Sequence, residues 1–237
     1  MNPFVEAVIA ANKEILELVK HSSDEDLAKG VSLGYGGDIS SKIDLLAEDI
    51  FIKHLSPFGN ILSEECGFID NKKEDLIVID PIDGSDNFAS KLPYYGTSVA
   101  LQKDSKYVVG IVVNLANGEI FVKNKDEFRR AHLTNLQFKK VTNNPDSKLG
   151  LFERAYCSYE TPRILRKHGI KYRSPGALAL SLAYAYDVNF VLFEGKIREY
   201  DIAAGLFMCE DLQIKKTQDV LLVSKNKEIF GKIAQFI

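Results

Sequence analysis

The residues best placed to do chemistry lie in one stretch, Val78-Ile79-Asp80-Pro81-Ile82-Asp83-Gly84-Ser85-Asp86-Asn87-Phe88. Asp80 ends a short apolar run of the kind that forms a buried strand, and Asp83 follows three residues later on a turn shaped by Pro81 and Gly84. Two carboxylates held that close repel each other at neutral pH and call for a cation. Oxygen donors alone select hard ions such as Mg²⁺, Mn²⁺ or Ca²⁺. Ser85-Asp86-Asn87 reads as the opening of a helix, whose first N–H groups face an anion. A cation beside an anion-binding turn points to phosphate chemistry. The same residues also fit an ordinary Asp-Pro…Asp-Gly turn with solvated acids. They do not fit an EF-hand, because counting back from Gly84 puts Ile79 and Pro81 where that loop needs acids.

Three further acidic groups stand along the chain. Ser63-Glu64-Glu65 closes a strand-like segment, NILSEE, and reads equally as a solvated acidic loop. Asp201, in EYDIAAG, falls where a helix begins and can serve simply as its N-cap. Asp44 follows Asp38 in GDISSKID, with a salt bridge to Lys42 or Lys53 as the plain alternative.

The elements that must position these residues are mixed. Apolar spacing predicts helices over 4–20 and 41–55, separated by a polar, glycine-rich stretch at 21–37 that reads as a loop or lid. LIVID (76–80) predicts a buried strand. TSVALQK, YVVGIVVNLA and GEIFVKN predict a meander, with a hairpin turn at ANGE. The polar segment 140–150 is the best boundary between two halves. Beyond it we expect a strand at 154–159, a helix opened by Thr161-Pro162, and a helix at 176–187. A strand at 188–195, a helix at 201–211, two short strands near 213–224 and a helix at 226–236 complete the chain. Strict βαβ alternation is absent, so a layered α/β or α+β fold fits.

Composition excludes whole classes. At 237 residues, 46% hydrophobic and 27% charged, the chain can bury a full core without staples. Its net charge of −3 gives no support to nucleic-acid binding. Cys66, Cys157 and Cys209 form no CxxC pair, which predicts thiols buried or inert in a reducing cytoplasm. The opening MNPFVEAVIAANKE lacks a signal-peptide pattern, and no apolar run is long enough to span a bilayer.

Taken together, the acidic motifs resemble those of the inositol monophosphatase family, part of the lithium-sensitive, Mg²⁺-dependent phosphatase superfamily that includes fructose-1,6-bisphosphatases. The family pattern D-x-x-[TS]-x-x-D appears as Asp38 to Asp44, and [GS]-E-E as Ser63-Glu64-Glu65. D-P-[IL]-D-G-[TS]-x-N-F appears as Asp80 to Phe88, and [WY]-D-x-A-A-G as Tyr200 to Gly205. The resemblance runs from about residue 4 to residue 225. It implies a sugar-phosphatase fold, a layered αβαβα sandwich. An N-terminal α+β half (1–140) would carry most metal ligands, and a C-terminal α/β half (150–237) would carry Asp201 and substrate contacts, with the site between them.

The implied cofactor is Mg²⁺, two to three ions per site, with Mn²⁺ as a substitute. One ion would be held by Glu64, Asp80 and the Ile82 carbonyl, and a second by Asp80, Asp83 and Asp201. Glu64 also borders a third site. Asp44 and Ser85 would orient and deprotonate the attacking water. Ile82, Asp83, Gly84 and Ser85 would meet the phosphate, the last two through backbone N–H groups. Glu194 matches a glutamate that contacts sugar or inositol hydroxyls, and Arg173, Gly176 and Ala177 fall in the family's R-S-x-G-[ST]-A-A stretch. Ala177 lacks the usual hydroxyl there, and Tyr200 stands where tryptophan is common.

The implied activity is a phosphomonoesterase acting on a small sugar or inositol phosphate, with members commonly homodimeric and no role for nucleic acid or membrane. Lys196 and Arg198 alternate along an extended segment and fit a second substrate phosphate, as fructose 1,6-bisphosphate would bring. A solvated strand edge balanced by Glu199 is the alternative. Other classes remain: a metal-binding protein that kept the pocket, a regulatory partner of the transcription or translation machinery, and a nucleotide 3′-phosphatase. Retention of Asp44 and Ser85 argues against the first, the near-neutral charge gives the second no support, and no adenine pocket is evident for the third.

Overall fold

A computed structural model describes residues 2–21 and 27–237. Helix α1 (Pro3–His21) buries Val5, Val8, Ile9, Ala11 and Ile15, a stripe at helical spacing. Its one buried polar residue, Asn12, is satisfied: Nδ2 donates to the Val8 carbonyl (2.9 Å) and Oδ1 accepts from the Thr97 hydroxyl (2.6 Å). Part of the stretch expected as a loop is a small antiparallel hairpin, β1 (Gly30–Leu33) with β2 (Ile39–Ser41). Every residue of β1 is exposed, so no buried face marked it in the sequence. The expected lid also covered 22–26, which lie outside the described residues.

Helix α2 (Lys42–Leu55) follows at once and packs beside α1. Next come β3 (Asn60–Ser63), β4 (Gly67–Ile69), β5 (Leu76–Asp83), the short helix α3 (Ser85–Ala89), β6 (Gly96–Lys103), β7 (Lys106–Asn114), β8 (Glu119–Asn124), β9 (Phe128–His132) and β10 (Lys139–Lys140). These strands form one eight-stranded sheet in the order β10-β9-β8-β7-β6-β5-β3-β4, antiparallel except where β3 runs beside β5. The expected meander is β6-β7-β8.

A second sheet of five strands, β12-β11-β13-β15-β14, is built from β11 (Gly150–Glu153), β12 (Tyr172–Arg173), β13 (Val191–Glu194), β14 (Gln213–Lys216) and β15 (Val220–Ser224). The strand expected at 154–159 lies earlier, at 150–153. Arg154 adopts a left-handed conformation (φ 57°), and Ala155–Cys157 is a short 3₁₀ turn. Helices α4 (Glu160–Lys167), α5 (Leu178–Ala183), α6 (Glu199–Met208) and α7 (Lys227–Ala234) complete the chain. Helix α5 is therefore shorter than the predicted 176–187.

Strand alternation sorts the core into layers. Ile77, Ile79, Ile111, Val113, Ile120 and Val122 face α1 and α2. Val78, Val112 and Phe121 face the other way, onto Ala179, Leu180, Ala183, Ala203 and Ala204 of α5 and α6. Those two helices turn Leu178, Leu182 and Ile202 toward Val191, Phe193, Leu221 and Val223 of the small sheet. Its opposite face, with Phe152, Leu192 and Leu222, is covered from α4 by Leu165 and from α7 by Ile233. The result is the expected αβαβα sandwich. Wedged between two sheets, α5 is buried at all six positions. Close approach of α5 and α6 depends on Gly205, where a Cβ would lie 2.6 Å from the Leu182 Cβ. Among the described residues no helix is long and apolar enough to cross a membrane. Of the three cysteines expected to be buried or inert, Cys209 is buried, and Cys66 and Cys157 are exposed.

Candidate metal-dependent active site

Asp80 and Asp83 sit three apart, and on a regular strand they would point to opposite faces. A bulge corrects this: Asp80 pairs with Ser98 and Asp83 with Gly96, so β5 carries one residue more than β6 between them. Pro81, which has no N–H to give the ladder, occupies the irregularity. The extra residue sends Ile82 into the α1/α2 core and leaves both carboxylates lining one cavity. Gly84 (φ 89°) then makes the left-handed turn that opens α3.

Two other elements complete the acid cluster. Glu64 directly follows β3, the strand beside β5. Asp201 is the third residue of α6, behind its N-cap Arg198, so it is not itself the N-cap. Carboxylate oxygens of Glu64, Asp80 and Asp201 lie within 4.8 Å of one another. Asp80 is 2% exposed, and its Oδ1 has no hydrogen-bond partner among the described residues. An oxygen in that state is costly unless a cation meets it. Burial pushes Glu64 up to about 8, and the neighbouring acids add to the rise against the opposing pull of Arg198. Burial likewise raises Asp80 well above the usual carboxylate range, with Glu64, Asp83 and Asp201 adding to it. This donor set fits a hard divalent cation.

Asp83 stands slightly apart. Its Oδ2 accepts the Leu180 N–H at 2.8 Å, at the start of α5. Burial nonetheless pushes it up to about 8. Asp44 is buried, and its Oδ2 accepts from the Ser41 N–H (2.6 Å) and hydroxyl (2.7 Å), closing the first turn of α2. Desolvation raises its carboxyl above the ordinary value. Asp44 and Ser85 line the same cavity, and the hydroxyl that bonds to Asp44 is that of Ser41.

Arg198 turns toward the acids. It reaches Asp38 (2.6 Å), Glu64 (3.0 Å) and Asp201 (3.0 Å), and its guanidinium lies over the Tyr200 ring. Lys196 lines the cavity with no acid partner among the described residues, and so does Arg154. Gly176 also lines it. Three predicted contacts lie outside the lining. Arg173 is exposed and donates to the Tyr172 carbonyl (2.9 Å), Ala177 is buried in the core beneath Gly84, and Glu194 accepts from the Thr161 hydroxyl (2.6 Å).

The cavity encloses about 480 Å³, enough for a phosphorylated monosaccharide. Its walls carry nine carboxylates against three cations. A phosphate dianion would be repelled from such walls unless cations came first. Sequence reasoning missed Glu153, Arg154 and Tyr156 in this lining. A signal existed, because Gly150-Leu151-Phe152-Glu153 is an apolar run ending in an acid, as in β5.

Comparison with known proteins settles the family. The family model for the inositol monophosphatase family matches residues 1–212. The chain belongs to that family. A fructose-1,6-bisphosphatase of Pyrococcus furiosus is 32% identical over 191 residues, spanning 78% of this chain and 72% of that one. Among solved structures, an inositol monophosphatase–fructose 1,6-bisphosphatase superposes with a TM-score of 0.82 at 24% identity, covering 99% of each chain. The extragenic suppressor protein suhB of Bartonella henselae superposes with a TM-score of 0.79 at 22% identity, covering 99% of this chain and 96% of that one. These two likenesses concern the fold. Family membership makes this chain a phosphoric monoester hydrolase of the sugar and inositol phosphatase type.

Proposed function

We propose that this member of the inositol monophosphatase family is a Mg²⁺-dependent phosphomonoesterase that hydrolyses an inositol or sugar monophosphate by direct attack of water. The observation that carries the metal requirement is the partnerless Oδ1 of Asp80, buried within reach of Glu64 and Asp201. Glu64, Asp80 and Asp201 would hold the ions, with Asp83 and the Ile82 carbonyl contributing. When bound, divalent ions neutralise charge on the phosphoryl and leaving oxygens.

The chain's own residues supply the rest. The turn at Gly84 leaves the first N–H groups of α3 without helical partners, and these would fix the phosphate. The Asp44 carboxylate, oriented by Ser41, would accept the water's proton by way of the Ser85 hydroxyl. Its desolvation raises its proton affinity, which suits a base. Gly176 and Lys196 would border the leaving group, with Glu194, Arg173 and Ala177 behind the wall. We read the site as lying between an N-terminal half (1–140) and a C-terminal half (150–237). On the family resemblance, the reading extends to a homodimer working in the cytoplasm and inhibited by lithium.

One observation favours a bisphosphate as second substrate. Arg154 and Lys196 line the cavity without acid partners among the described residues. They replace the pair Lys196 and Arg198 as the cations free to meet a second phosphate, since Arg198 is engaged by three acids. Phosphate release by the purified protein tests both readings, with inositol 1-phosphate and fructose 1,6-bisphosphate as substrates in Mg²⁺ and in EDTA. Release in Mg²⁺ that stops in EDTA is expected. Absence of release from every sugar and inositol phosphate tried would overturn the reading.

A further inference from the structure

One buried acid in the cavity has no part in the chemistry above. Glu153 ends β11, is 2% exposed, and belongs to the small sheet. Its Oε2 accepts the Gly176 N–H at 2.7 Å, and Oε1 accepts the Ser181 hydroxyl. Two donors converge on one carboxylate, one at each oxygen.

The segment so held is the surface against which the anion turn rests. A Cβ on Gly84 would lie 3.1 Å from the Ala177 Cβ and 3.2 Å from the Gly176 carbonyl oxygen. From the other side, Asn87 Nδ2 donates to the Pro175 carbonyl at 2.7 Å, and Asp83 takes the Leu180 N–H. Pro175 to Ser181 is therefore gripped by Asn87 of α3 and Asp83 of the large sheet on one side, and by Glu153 of the small sheet on the other. Of these grips, Glu153 supplies the backbone bond to Gly176, next to Ala177.

We propose that Glu153 is a positioning residue: it anchors Gly176–Ala177 to the small sheet and thereby sets the placement of the Gly84–Ser85 turn and of Asp83. This rests on reading the cavity as a phosphomonoesterase site. A purely architectural role at the end of β11 would lower stability alone. A positioning role moves the phosphate end of the site relative to the acids, and an ångström of misplacement there costs catalysis about a hundredfold.

The test compares Glu153→Ala and Glu153→Gln in the full chain with Mg²⁺. It measures kcat, KM, the inhibition constant of inorganic phosphate, half-saturating Mg²⁺ and Tm. In Glu153→Ala, kcat should fall about ten- to hundredfold and the inhibition constant of phosphate should rise, with half-saturating Mg²⁺ changed less than the phosphate constant. Glutamine keeps the shape, an acceptor for the Gly176 N–H and a partner for Ser181, so Glu153→Gln should recover most of both. A lowered Tm with kcat and the phosphate constant untouched overturns the proposal. If Glu153→Ala does not fold, Glu153→Asp, which shortens the reach to the Gly176 N–H, carries the test, and an unchanged phosphate constant there overturns it equally. Should the wild type release no phosphate from any substrate, the phosphomonoesterase reading fails by itself. The thermal shift produced by inorganic phosphate with Mg²⁺ then still reads the positioning effect, which a shift equal in wild type and Glu153→Ala would refute.

Discussion

Two walls of one cavity hold buried carboxylates, and they hold them differently. On the large-sheet side Asp80 presents an oxygen with no donor, crowded by Glu64 and Asp201. On the small-sheet side Glu153 is met at one oxygen by the Gly176 N–H and at the other by the Ser181 hydroxyl. Both acids are 2% exposed, so burial does not distinguish them. The number of donors does. A buried carboxylate short of donors is a cation ligand in waiting, whereas a saturated one is a strut. Asp83 stands between these extremes, with Oδ2 taken by the start of α5.

The contrast breaks most visibly at Asp80. Replacing it with Asn removes the central charge of the cluster and keeps the shape. Mg²⁺-dependent phosphate release should fall about a thousandfold. The EDTA-treated variant should melt higher than EDTA-treated wild type, because the repulsion among Glu64, Asp80 and Asp201 is relieved. Undiminished turnover by Asp80→Asn would show that this wall is not the metal-bearing one.

Arg198 tests where the boundary between the walls runs. The sequence assigns it with Lys196 to substrate, but its guanidinium lies among Asp38, Glu64 and Asp201. A cation in that position competes with Mg²⁺ for the same carboxylates. In Arg198→Ala the half-saturating Mg²⁺ concentration, read from thermal shift, should drop about three- to tenfold, and the metal-free protein should lose stability. An unchanged Mg²⁺ requirement with a selective loss of fructose 1,6-bisphosphate turnover would return Arg198 to the substrate wall.

The acid-rich wall was legible in the sequence because its signals are local. Asp80 to Phe88 is one unbroken stretch, and each of the other acids sits in its own short motif. Helices α1 and α2 were legible from one buried stripe each. What escaped depends on distant partners or on faces with no burial contrast. The hairpin β1–β2 exposes Val31, Leu33 and Ile39, so no alternation betrayed it. The strand expected at 154–159 carries Tyr156 and Tyr159, and both are exposed, beyond the left-handed turn at Arg154. Arg198 finds Asp38 from 160 residues away, a pairing that no local pattern encodes. The roles of Glu153 and Arg154 were hidden by the same four-residue misplacement of β11.

The smallest expected effect concerns the metal-free state. Glu64 and Asp83 have ordinary values of 4.5 and 3.8 in an unfolded chain, and burial pushes both to about 8 in the folded one. Between those limits the folded protein keeps protons that the unfolded chain has released. The stabilising contribution is therefore whole below the unfolded values and is lost as pH rises through about 8. The EDTA-treated protein should lose several degrees of Tm between about pH 6 and about pH 8.5. Saturating Mg²⁺ should flatten that slope, because bound cations replace the protons. Glu64→Gln with Asp83→Asn should flatten it without metal. A slope that survives both substitutions would place the titration elsewhere, and would leave the acid wall distinguished from Glu153 by geometry alone.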